Sequence, residues 1–281
     1  MSYSYTDPRP MKELTDAFLK GIADRLHLHS TVLLKLWLDD NRNQDGRPIG
    51  SGTFVSVGDT YGIVTAHHVA ELLAEPFALG LGIAREGEEH AMRVERHSLQ
   101  IEEVAIPEIE EYGPDLAFIT LLDGNDVATV KASKLFHALD RDRDELLSRP
   151  PPDDAGVWFY CGTPEERTVA EDSEKGFLGL LTFQDLCLAG GPSVSCERGN
   201  YDYFDLDSDK DNEGPSSYSG MSGGGLWQVT ISQSEEGSPT PGRYLFSGVS
   251  FYQGSRSDGT RFMRCHGRKS VYEHVFEAVA G

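Results

Sequence analysis

Basic side chains are scarce in this 281-residue sequence: Lys and Arg number 25 against 46 Asp and Glu, a formal charge of −21. Nucleic acids and anionic membranes are bound through clustered Lys and Arg. The balance therefore excludes both as partners and favours attraction of basic peptides. Long apolar runs are missing too: the most apolar early stretch, residues 32–38, is interrupted by Lys35. No signal peptide and no membrane span is expected, which makes the cytoplasm the expected location. Cysteine is sparse, and Cys161, Cys187, Cys196 and Cys265 fall at spacings that match no metal-binding pair. In a reducing cytosol they are expected as free thiols, with a Cys187–Cys196 bridge as the first exception to test. No cofactor and no metal ion is expected.

What is present is enough for a core, with 38% hydrophobic residues in a chain of one large or two modest domains. Residues 1–29 open on turn formers and then place Met11, Leu14, Phe18, Ile22 and Leu26 at helical spacing, an amphipathic helix appended to the main body. Short β segments follow at 31–38, 52–57, 61–65, 91–94, 99–104 and 116–122, separated by turn signals such as Gly58, Asp59 and Gly113, Pro114. Residues 140–156 are charged and then proline-rich, a linker signature. A second β set lies at 157–160, 177–183, 225–231 and 244–251. Val271, Val275, Ala278 and Val279 predict a short helix over 270–280. This divides the chain into a helical extension (1–29), a first β module (30–137), a linker (138–156) and a second β module with a closing helix (157–281).

The most informative stretch is Tyr218, Ser219, Gly220, Met221, Ser222, Gly223, Gly224, Gly225. A serine hydroxyl is a weak nucleophile at neutral pH. It needs a base to take its proton and donors to hold the oxyanion formed on the substrate. Glycines on both sides let successive backbone N–H groups turn toward one point and leave room for a carbonyl to approach. A base is available where the β-like run 61–65 meets Ala66, His67, His68, Val69, since histidine titrates near neutrality. An orienting acid is available at Asp115, which opens the apolar run 116–122 and must be hydrogen-bonded if buried.

The order His, Asp, Ser is that of the chymotrypsin arrangement, not of subtilisin or the α/β-hydrolases. Thr65, Ala66, His67, His68, Val69 resembles the Thr-Ala-Ala-His segment of trypsin-like serine peptidases, which aligns His68 and not His67 with the base. Asp115, Leu116, Ala117 resembles their Asp-Leu-Ala segment, and Gly220, Met221, Ser222, Gly223, Gly224 their Gly-Asp-Ser-Gly-Gly. The resemblance, to a cytosolic bacterial-type member without zymogen activation, implies an all-β chain. Two six-stranded antiparallel barrels would hold the site in the cleft between them, flanked by an N-terminal and a C-terminal helix. It implies a serine endopeptidase in which Ser222 attacks the scissile carbonyl and His68 moves the proton. Asp115 would fix the imidazole, and the N–H groups of Gly220 and Ser222 would form the oxyanion hole.

The residue before the nucleophile, an aspartate in zymogen-type relatives, is Met221 here, so control is expected to come from elsewhere, such as an activating protein partner. By the same alignment Ser216 lies at the base of the substrate pocket, while Ser250, Phe251 and Tyr252 line it. That composition implies a small or partly blocked pocket without a buried acid. Residues 201–213 read as a solvated acidic loop, with a selector of basic substrates as the second reading. Their alternating aspartates fit a calcium loop poorly, because Lys210 stands where glycine is needed and Ser216 where the bidentate glutamate is needed. Two rivals remain. Gly220 to Gly224 also fits a Gly-x-Ser-x-Gly elbow with Asp258 and His266 following, but no strand precedes the serine and no helix follows it. The other rival is a catalytically silent fold that acts as a protein-binding module.

Overall fold

A computed structural model describes residues 14–38, 44–73, 78–83, 91–109, 113–171, 180–183, 186–191, 194–207, 217–233 and 238–281. The first module contains β1 (Ser30–Leu38), β2 (Gln44–Val57), β3 (Thr60–Thr65), β4 (Ala78–Gly82), β5 (Ala91–Val94), β6 (Leu99–Ala105), β7 (Leu116–Leu121) and β8 (His137–Ala138). They form one sheet in the order β5-β4-β1-β2-β3-β7-β6, with β8 parallel to β2. The second module contains β9 (Val157–Gly162), β10 (Thr168–Glu171), β11 (Leu180–Phe183), β12 (Leu186–Gly190), β13 (Val194–Arg198), β14 (Tyr201–Asp207), β15 (Gly225–Gln233), β16 (Pro239–Ser255) and β17 (Arg261–His266). Its sheet runs β12-β9-β15-β16-β17-β14-β13, and β10 pairs with β11 in a separate ribbon.

The expected mostly-β, two-module antiparallel architecture is therefore the one observed. The sheets hold eight and seven strands rather than six each, and neither strand order closes on itself. The modules share an apolar core in which Val55, Val64 and Phe118 of the first sheet meet Phe159, Trp227 and Phe246 of the second. Into it α1 (Asp16–Leu26) inserts Ile22 and Leu26, both fully buried. Thr15 starts that helix by accepting the Phe18 N–H at 3.3 Å. Met11 lies outside the described residues. After β7 comes α3 (Gly124–Lys131), and the stretch read as linker contains α4 (Leu139–Ser148), which buries Leu139 and Leu146. Arg243 of β16 holds α4 through Asp142 at 2.7 Å and Glu145 at 2.6 Å. The chain ends in a π-helical segment, Ser270–Val275, that continues into α5 (Phe276–Ala280).

Two sequence expectations are corrected. Residues 201–207 are strand β14 and not a loop: the alternation Tyr, Asp, Tyr has the period of a strand. Asp205 is buried opposite Arg264 in register, and that guanidinium bonds it at 2.7 Å while Arg256 approaches at 3.1 Å. Asp202 caps the terminal helix by accepting the Ser270 N–H at 2.8 Å and the Lys269 N–H at 3.0 Å. The Lys210 and Ser216 positions of the calcium comparison lie outside the described residues. The cysteines differ as well. Cys161 of β9 and Cys187 of β12 are direct cross-strand neighbours and form a disulfide, so the expected free thiols hold only for Cys196 and Cys265, and Cys187 is not bridged to Cys196.

The shared core also contains histidines. His29 and His137 meet the Trp227 ring at centroid distances of 5.0 and 5.2 Å. Burial lowers the His29 pKa to about 4 and that of His137 to about 3. Both rings are thus neutral when folded, whereas the unfolded chain takes up their protons near the ordinary histidine value. Between these limits the unfolded state binds more protons, so stability falls as pH falls. The thermal midpoint is expected to drop by about 5–10 °C from about pH 7.5 to about pH 4.5. Differential scanning calorimetry across that range checks this, and a flat profile would contradict it.

Candidate active site

The strand β3 enters the site at Thr65, and the chain turns at Ala66 into the short helix α2 (His67–Glu71). Burial of Val69 and Ala70 fixes this helix against the first module's core, and so directs its two histidines in different directions. His68 faces the start of β7. Its Nδ1 lies 2.5 Å from Asp115 Oδ2, and its backbone N–H donates to Asp115 Oδ1 at 3.0 Å. Two bonds to one carboxylate set both the position of the helix and the rotation of the ring. His67 is buried and reaches Glu103 at 3.4 Å instead.

Asp115 is fully buried. Burial opposes its ionisation, but the hydrogen bonds and charge of His68 outweigh that effect and hold the carboxyl below its ordinary value. An ionised carboxylate on Nδ1 keeps that nitrogen protonated and leaves Nε2 as the basic edge of the ring.

Ser222 sits in a turn between Tyr218 and β15, and the first sheet holds that turn through a single residue. The Ser51 N–H donates to the Ser222 carbonyl at 2.8 Å. Its Oγ donates to the Gly220 carbonyl at 2.8 Å and accepts the Thr163 N–H at 2.8 Å. Its own carbonyl accepts the Thr65 hydroxyl at 2.8 Å. Ser51 thus joins β2, the end of β3, β9 and the serine turn. A Cβ on Gly50, one residue earlier, would lie 2.6 Å from Val69 Cγ2 and 3.0 Å from the Ser222 carbonyl. The helix that carries His68 and the turn that carries Ser222 therefore converge over the same glycine.

Gly223 shows how tightly the turn is seated. It has φ of +87°, and a Cβ there would collide with the Ser51 carbonyl and the Thr65 hydroxyl. Gly223→Ala combines left-handed strain with overpacking and is expected to cost about 3 kcal/mol or more. A urea midpoint unchanged from wild type would contradict that placement.

The turn leaves two N–H groups open. Met221, Gly223 and Gly224 donate to Tyr218, Ser250 and Met221 carbonyls at 3.0, 2.7 and 2.9 Å. Among the described residues neither the Gly220 nor the Ser222 N–H has an acceptor. Gly220 has φ of +86°, which glycine adopts without a Cβ penalty. The Ser222 hydroxyl is partly exposed, and no hydrogen bond within the described residues engages it. The structure therefore joins His68 to Asp115 and brings the serine turn alongside.

The remaining sequence candidates take other places. Ser250 is fully buried, and its hydroxyl is spent on the Met221 carbonyl at 2.8 Å and the Gly224 carbonyl at 3.3 Å. It braces the serine turn from below rather than lining a pocket. Phe251 is buried against His266, with ring centroids 4.6 Å apart, so it too belongs to the core. Tyr252 is half-buried, and Ser216 lies outside the described residues. The elbow reading fails on geometry: a strand, β15, follows Ser222, both large sheets are antiparallel apart from β8, and Asp258 caps a turn by accepting from Thr260 while His266 lies at Asp115. Ser51 carries no motif in the sequence, and His266 entered the sequence reading only as the histidine of the rival elbow.

Comparisons with known proteins add little to this geometry. No protein family matches the chain, and no curated protein does. Among solved structures the chain is similar to the HtrA-type protease AlgW with a decapeptide, at 14% identity and a TM-score of 0.42. The match covers 88% of this chain and 62% of that one, less than two thirds of its length.

Proposed function

We propose that the chain is a serine endopeptidase of the trypsin-like type, with Ser222 as nucleophile, His68 as general base and acid, and Asp115 as the group that orients His68. The observation that carries this reading is the pair of bonds from His68 to a fully buried Asp115 beside a serine turn seated on Ser51. Attack by Ser222 Oγ on a peptide carbonyl would pass its proton to His68 Nε2, and the oxyanion would face the unpaired N–H groups of Gly220 and Ser222. His68 would then protonate the leaving amine, and water would release the acyl group by the reverse path. Catalytic hydrogen bonds commonly close only with substrate in place, which accounts for the unengaged Ser222 hydroxyl. The same openness fits control by an activating partner. The net charge of −21 favours basic protein or peptide substrates.

Cleavage of a peptide library, read by mass spectrometry, tests the reading and yields the preference. Cuts absent from a Ser222→Ala control and enriched near Lys or Arg are expected, and identical product lists from the two proteins would overturn it. The unengaged Ser222 hydroxyl also favours a second reading, a silent fold that binds peptides without cutting them. Peptides retained uncut by the wild-type protein would support that alternative.

A further inference from the structure

We propose that His266, at the end of β17 in the second module, is a positioning residue for Asp115; this rests on the triad reading above. The Asp115 N–H donates to His266 Nε2 at 2.9 Å. The same Nε2 lies 3.1 Å from the Asp115 carbonyl, so it holds the Asp115 backbone as acceptor or as donor according to the ring's tautomer. Its Nδ1 is buried and has no hydrogen-bond partner among the described residues. An orphaned buried polar atom is a cost that a phenylalanine in the same place would not carry. The ring is therefore kept for the bond its other nitrogen makes to the Asp115 backbone.

The ring is held on several sides. Phe251 of β16 lies 4.6 Å from it and Tyr203 of β14 lies 5.2 Å from it, both at shallow angles. Gly248 leaves room for the His266 backbone, since a Cβ there would strike the His266 carbonyl. The same two aromatic rings contact the approach to the acid, where a Cβ on Gly113 would lie 3.1 Å from Phe251 and 3.3 Å from Tyr203. One aromatic cage thus fixes both His266 and the turn that delivers Asp115. The titratable groups around the ring are Asp115 on β7, Asp202, Tyr201 and Tyr203 on β14, and His274 on the terminal helix. Burial lowers the His266 pKa to about 4, so the ring remains neutral wherever His68 is able to act as a base.

Consequently the second module fixes the backbone of Asp115 while the first module fixes its carboxylate on His68. Without the Nε2 bond the Asp115 backbone loses that partner, the carboxylate loses its register, and imidazolium at His68 is held less well. His266→Phe keeps the volume and stacking but cannot accept. His266→Gln keeps an acceptor at a similar reach. In His266→Phe, kcat is expected to fall roughly 10–100-fold with little change in KM, and His266→Gln to recover most of it.

The decisive readout does not need turnover: the His68 pKa, measured by NMR in a Ser222→Ala background. It is expected to fall by about 1 unit in His266→Phe and to return toward wild type in His266→Gln. If the wild type cleaves nothing while this pattern appears, the hydrolytic reading fails and the positioning role stands. Equal His68 pKa values in all three proteins would overturn the positioning role, whatever the activity. Should His266→Phe not fold, His266→Asn, too short to reach the Asp115 N–H, takes its place with the same expected outcomes.

Discussion

Replacing Ser222 by alanine is expected to lower kcat/KM on the best-cleaved peptide by roughly 10⁴–10⁶-fold while leaving the thermal midpoint nearly unchanged. The asymmetry follows from where the residue makes its bonds. Its carbonyl is held by the Ser51 N–H at 2.8 Å, and alanine retains that carbonyl. Its hydroxyl engages nothing within the described residues, so its removal leaves no buried group unpaired. Activity would be lost because no other hydroxyl has the same seat: Ser219 donates to Glu165 at 2.7 Å and Ser250 is buried beneath the turn. Steady-state kinetics beside calorimetry checks both halves. Residual activity above about one per cent of wild type would point to a different nucleophile.

Asp115→Asn is expected to reduce kcat/KM by about 10³–10⁴-fold. The carboxylate receives the His68 backbone N–H at 3.0 Å and faces Nδ1 at 2.5 Å. An amide can offer one oxygen to one of these and must turn its NH₂ toward the other, which favours the imidazole tautomer with its proton on the wrong nitrogen. Loss of the negative charge also removes the stabilisation of imidazolium, so the His68 pKa should fall. A pH–rate profile shows the effect as a lower maximum with its acid limb moved to lower pH. The variant should be less stable as well, because the buried site is built for two donors. This stability difference should shrink as pH falls, since the wild-type carboxyl is held below its ordinary value and its contribution disappears only when acid protonates it.

The parts legible in the sequence were those governed by local pattern. The apolar run 61–65 ending in two histidines became β3 and α2, and 116–122 became β7 with Asp115 at its head. The helical spacing of Phe18, Ile22 and Leu26 became α1. Glycines around Ser222 marked a turn with exposed N–H groups, and the structure shows that turn. What the sequence hid depends on partners far along the chain. Asp205 looked solvated because its balancing residue, Arg264, is 59 positions away. Ser51 resembles any strand serine until Gly220, 169 positions on, folds against it. His266 stands 151 positions from the backbone N–H it accepts. Cys161 and Cys187 became neighbours only through the pairing of β9 with β12. The bracing contacts of Ser250 and the packing of Phe251 on His266 were likewise hidden, since their partners lie far along the chain or in the fold's aromatic core.

The account rests on Ser222 being an activated nucleophile beside His68, and covalent labelling with a fluorophosphonate probe tests that most directly. The wild-type protein, purified and in cell extract, is expected to take up the probe at Ser222, located by peptide mass spectrometry, and Ser222→Ala is expected to take up none. Folded wild-type protein that stays unlabelled in both settings, under conditions that label a control peptidase, would contradict it.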